Sequence, residues 1–109
     1  MPTVVGMNIA TAELQTVKAQ SVIVTDELLT VELADGRTLS VPLSWYPRLW
    51  HGRLEERQNW RLIGQGEGIH WPDLDEDVSV QNLLLGRPSS EGPASLRQWL
   101  TARSAKQQG

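Results

Sequence analysis

The sequence predicts an α+β domain: an antiparallel β-meander with short helices and a carboxy-terminal amphipathic helix. Three observations carry this. Apolar residues alternate with polar ones on both sides of Asp35-Gly36, the period of a half-buried strand. From Ser44 onward the spacing changes to short helical stretches punctuated by Pro and Gly. Near the end, Leu96, Trp99 and Leu100 fall at i, i+3 and i+4, one stripe of a helix.

Taken in order, Val17 to Val24 is rich in β-branched residues and reads as a strand, with Asp26-Glu27 as a turn. Leu29, Val31 and Leu33 form one face of the next strand, and Leu39, Val41 and Leu43 one face of a third. A two-residue Asp35-Gly36 loop would throw the two apolar sets onto opposite faces, because one register step flips every side chain. A three-residue loop, Ala34-Asp35-Gly36, pairs Val31 with Leu39 and Leu29 with Val41 and keeps one face apolar. That loop ends in a left-handed residue, a role for Gly36. Pro42 marks a strand end or an edge.

Ser44 is expected to cap a short helix, with Pro47 in its first turn and Gly52 at its end. Leu54 to Trp60 reads as a second helix with Glu55, Glu56 and Arg57 outward. Strands at Trp60–Ile63 and Ile69–Trp71 flank a hairpin connection from Gly64 to Gly68. Ser79 caps a short helix that turns Val80, Leu83 and Leu84 inward and stops at Gly86. Four segments result: an extension over 1–16, a domain over 17–86, a linker over 87–93, and a helix with a frayed end over 94–109. On that helix, Arg97, Thr101, Arg103 and Lys106 are expected on the outer face.

The composition excludes several classes. With 109 residues and a net charge of -3, the chain suits one domain and does not carry the bulk positive charge of a non-specific nucleic-acid binder. It has no Cys, which removes disulfides, thiol catalysis and thiolate zinc sites. No apolar run approaches the ~20 residues of a membrane span, and no signal-peptide pattern opens the chain, so the expected compartment is the cytoplasm.

Charge is segmented. Residues 45–66 hold four Arg and two Glu, whereas residues 67–86 hold five acids and no base. All five Trp fall between Trp45 and Trp99. Trp in so small a chain is a core anchor or a contact surface, more often core. Asp73-x-Asp75-x-Asp77 opens like a calcium loop, but Val78 and Leu84 stand where Gly and a bidentate Glu are required. These acids are expected to cap the following helix and to pair with Arg. Gly64-x-Gly66-x-Gly68 lacks the dinucleotide fingerprint's spacing and context. His70 is expected to be a hydrogen-bonded structural residue.

Two runs are distinctive: Val41-Pro42-Leu43-Ser44-Trp45-Tyr46-Pro47-Arg48-Leu49, and Gly66-Glu67-Gly68-Ile69-His70-Trp71-Pro72-Asp73-Leu74-Asp75-Glu76-Asp77. Together they resemble the bacterial domain-of-unknown-function family 2442 over about residues 17–86. The resemblance implies a small α+β domain whose members are often encoded beside another small protein, in pairs that look like toxin–antitoxin modules.

The function expected from all this is a non-enzymatic, antitoxin-like module that binds a small protein partner and uses no cofactor or metal. Its contact residues would be Trp45, Tyr46, Arg48, His70 and Trp71, rimmed by Asp73, Asp75, Glu76 and Asp77, since opposite charges steer encounter and fix register. The same charges could meet across a homo-oligomer, or within one chain through Arg48. Two alternatives stand beside it: a metal-dependent hydrolase using His70 and the acidic loop, and DNA binding through Arg53, Arg57 and Arg61 at helical spacing. The second lacks a recognition-helix module.

Overall fold

Alternating side chains build the first sheet. In a computed structural model that describes residues 17–108, β1 (Ala19–Val24), β2 (Leu28–Leu33) and β3 (Thr38–Pro42) form an antiparallel sheet in the order β1-β2-β3. The 1–16 extension lies outside the described residues. Leu29 pairs with Val41 and Val31 with Leu39, the register of the three-residue turn. The turn closes by Leu33 N–H to Arg37 O at 2.8 Å and Gly36 N–H to Leu33 O at 3.0 Å, with Gly36 at φ +96°. A side chain is disfavoured at that angle. Between β1 and β2, the Thr25 hydroxyl accepts the Leu28 N–H at 2.9 Å and so holds the Asp26-Glu27 turn.

The chain then leaves the edge at Pro42 through a 3₁₀ turn, Leu43–Trp45, into α1 (Pro47–Trp50). Ser44 does not cap it. The N-cap position falls to Tyr46, because Pro47 occupies the first helical site, where its missing N–H costs nothing. Helix α2 (Leu54–Gln58) ends two residues before Trp60. Glu56 and Arg57, expected outward, turn inward. Glu56 accepts the Arg53 N–H at 2.8 Å, which tethers the start of the helix and leaves the residue 6% exposed. Arg61 lies on a strand, so no helical arginine stripe exists.

The second sheet joins β4 (Arg61–Ile63), β5 (Gly68–Trp71) and β6 (Glu76–Ser79), all antiparallel. β6 was not anticipated: three of its four residues are polar or acidic, and only Val78 is buried. Pairing with β5 overrides the weak strand propensity of Asp and Glu. Between β4 and β5, Gly66 adopts φ +98°, and a Cβ there would sit 2.8 Å from the Ala19 carbonyl. This close approach is where the second sheet meets the first. Ser79 caps α3 (Val80–Leu84) by accepting the Asn82 N–H at 3.2 Å, and Gly86 ends it, both as expected.

Leu29, Val31, Leu43, Leu49, Ile69, Trp71 and Leu74 are fully buried, so residues of both sheets and of α1 share one core. Helix α4 (Pro93–Gln108) closes the described chain, with Leu96, Trp99 and Leu100 half-buried. None of the described helices is long and apolar enough to cross a membrane.

Candidate functional site

Helix α1 is only four residues long, yet it aims the Arg48 side chain at the seam between the β5–β6 turn and the carboxy-terminal helix. Arg48 Nε and Nη2 donate to the two carboxylate oxygens of Glu91 at 2.9 and 2.7 Å, a bidentate fork. Its Nη1 donates to the Asp75 carbonyl at 3.1 Å and lies 3.6 Å from the Asp75 carboxylate. Trp99 stacks on the guanidinium, 5.1 Å from ring centroid to carbon. The Arg48 and Glu91 side chains are 17% and 10% exposed. Arg48 holds the Glu91 carboxyl below its ordinary pKa.

One turn beyond Trp99, Arg103 stacks on the same ring at 4.7 Å and forks onto Glu56 at 3.0 and 2.9 Å. These bonds hold the Glu56 carboxyl low. Arg103 was expected on the outer face of its helix and instead faces the domain. A cleft of about 590 Å³ opens beside it, lined in part by Arg53, Asp73, Asp75, Trp99 and Lys106.

On the other side of Arg48, a cleft of about 290 Å³ lies among Tyr46, Glu76, Asn82, Arg87 and Ser89. Glu76 Oε1 accepts the Asp77 N–H at 3.1 Å, while Oε2 is buried without a partner. Burial, which outweighs the pull of Arg48, pushes the Glu76 carboxyl up to about 7. Burial also raises the Tyr46 phenol to about 12, and its hydroxyl donates to the Arg87 carbonyl at 3.2 Å.

These placements correct the outward docking face expected from sequence. Trp71 is fully buried, with its indole N–H on the Arg57 carbonyl at 2.9 Å, and Tyr46 is 4% exposed. Trp45 is half-buried against the core, and its carbonyl accepts the Ser89 N–H at 3.0 Å. Arg48 is occupied from within the chain. The acids do not act as one rim. His70 pairs with Asp77 across β5 and β6, Asp73 accepts from Asn59 at 2.9 Å, and Asp75 meets Arg48. Nor do they cap α3, which Ser79 serves.

The two alternatives lose their geometry as well. Among the described residues, no three His, Asp or Glu side chains gather to hold a metal ion, and His70, Asp73 and Asp75 each face a different partner. Arg57 donates to the carbonyls of Leu49 and Trp50 at 2.9 and 2.8 Å and to Asp26 at 3.2 Å, which leaves its side chain 11% exposed. It is a clamp within the domain, while Arg53 and Arg61 remain exposed on a helix cap and a strand.

A family model for proteins of unknown function, DUF2442, matches residues 19–89. The chain belongs to this family. The DUF2442 match ends at residue 89, before Glu91, Trp99 and Arg103. No curated protein matches the chain. Two solved structures share the fold. One is a protein of unknown function from Rhodospirillum rubrum, 25% identical, TM-score 0.60, aligned over 69% of this chain and 93% of its own. The other is the uncharacterised protein CV0863 from Chromobacterium violaceum, 22% identical, TM-score 0.62, aligned over 79% of this chain and 81% of its own.

Sequence reasoning missed Glu56, Glu91, Trp99 and Arg103 as partners within this DUF2442 chain. Pro and Ser around Glu91 read as a linker, and it is a strap bonded to the domain at three places. One signal was present: Trp99 and Arg103 stand one helical turn apart, spaced to stack on each other.

Proposed function

We propose that the chain is a non-enzymatic protein-binding module that docks through an apolar face around Trp50. The observation that carries this reading is the exposure of Trp50: its side chain stays 48% exposed on a helix whose neighbouring Leu49 is fully buried. Leu54 is 59% exposed, Ile23 52% and Leu28 42%. Arg57 ties their segments together, since it grips the end of α1, the β1–β2 turn and, through its own backbone, α2, which packs on β1. Exposed aromatic and aliphatic groups held on a rigid base are what a protein interface uses as anchors. Asp26, Glu27 and Glu55 are exposed beside them, an acidic margin suited to a basic partner surface.

The resemblance to family members encoded in pairs makes the product of the neighbouring gene the partner to test. A tagged copy should retain that protein, and Trp50→Ala with Leu54→Ser should lose it while keeping the wild-type melting temperature. Retention undiminished by the double substitution, or no retention by the wild type, would overturn this reading.

A further inference from the structure

Helix α4 sits on the domain through a narrow set of groups. Leu96, Trp99, Leu100 and Arg103 are half-buried, and its other described side chains are exposed. The strap before it is pinned as far as Glu91, by Ser89 N–H to the Trp45 carbonyl and by the Arg48 fork. Gly92 then follows as the one residue between strap and helix, with nothing within 4 Å of where a Cβ would be; across it the chain is joined only locally, by Leu96 N–H to the Gly92 carbonyl at 3.0 Å and by the Ser95 hydroxyl to Glu91 at 2.7 Å. The family match stops at residue 89, and the R. rubrum protein is aligned over 93% of its length by 69% of this chain.

What α4 covers has a defined chemistry. Glu56 presents both carboxylate oxygens to a guanidinium, and Arg48 presents a flat cation to an indole. Trp99 and Arg103 meet them from one face of a helix, four residues apart. Glu56 is fixed before any helix arrives, because it already holds the Arg53 N–H at the start of α2, and Arg48 is fixed by Glu91. A seat whose groups are held in advance loses little freedom on binding.

We propose that Glu56 and Arg48 form a receptor for a helix that carries Trp and Arg one turn apart, and that it accepts α4 from a second copy of this chain as well as its own. Within one molecule the short Gly92 connection gives the tethered helix a high effective concentration, so the closed form prevails in dilute solution. Exchange between copies uses the same contacts and adds none.

Charge reversal separates the two modes. Glu56→Arg and Arg103→Glu each set like charges against each other within the chain and should elute as monomers. Mixed in equal amounts, each restores an opposite-charge pair only between copies, and the mixture should elute at twice the chain mass. A mixture that stays at the monomer mass overturns the exchange. Glu56→Arg also removes the tether of α2 and could fail to fold, so a second measurement leaves Glu56 intact. A labelled synthetic peptide of residues 92–108, titrated into the full-length Arg103→Glu protein, should bind. The same peptide with Arg103→Glu should bind about tenfold more weakly or less. Equal binding of the two peptides, or none by either, would refute the receptor.

Discussion

Two indoles, Trp71 and Trp50, lie on either side of the same clamp. Arg57 offers its backbone carbonyl to the Trp71 N–H and its guanidinium to the carbonyl of Trp50. Trp71 is sealed, while Trp50 is 48% exposed. The difference is not in the side chain but in what the chain lays over it. Trp71 stands on the inward face of β5 beneath Leu74 and the helices, and Trp50 stands at the free end of a four-residue helix whose last carbonyls are already satisfied. One tryptophan therefore reports on stability, and the other carries the proposed docking face. The polar seam around Arg48 belongs with the first: its charges are spent on one another.

Substitutions should separate these regions by size of effect. Trp71→Ala should cost about 3–5 kcal/mol, the range for emptying a large buried aromatic site. Against the ~5–15 kcal/mol of a typical domain that is close to unfolding, and urea denaturation measures it. A cost under about 1 kcal/mol would mean that the ring is not an anchor of the core. Arg48→Ala should cost about 2–3 kcal/mol, below the ~3–5 kcal/mol of a fully buried pair, because both side chains keep some solvent contact. Hydrogen exchange should show α4 losing protection before the sheets do. If α4 keeps its protection, the seat depends on Glu56 alone.

Glu76 gives a smaller effect with a distinct pH signature. Its carboxyl holds a proton in the folded chain up to about pH 7 and releases it near 4.5 when unfolded. Between those values the native state binds more protons, so stability falls as pH rises toward 7 and stays at the lower level above it. Glu76→Gln removes that decline. Its melting temperature should exceed that of the wild type at pH 8, with the gap closing near pH 5. Glu56 and Glu91 act in the opposite sense: their lowered values add stability above about 4.5 that is lost as pH falls further. At the small end, Leu54→Ser should change unfolding free energy by no more than about 0.5 kcal/mol, since the side chain is largely in water. A larger loss would move this face from recognition to packing.

Alternation at Leu29, Val31, Leu39 and Val41, with Gly36 placed to end the turn, was enough to set the register of the first sheet, because a one-residue slip would expose half the apolar side chains. Ser79 and Gly86 bounded α3 by local hydrogen bonding and left-handed backbone, which also act over a few residues. Membership of the DUF2442 family was legible from the two long motifs. Tertiary structure alone decided the rest. Whether Glu56 faces water or Arg103 and which tryptophan is covered depend on partners 14 to 47 residues away, and whether the acids of residues 73–77 cap a helix or build a strand depends on their pairing with β5. Local pattern constrains the backbone of a few neighbours. The burial of a charge or an indole is settled only when distant segments, here the strap and α4, come to lie across it.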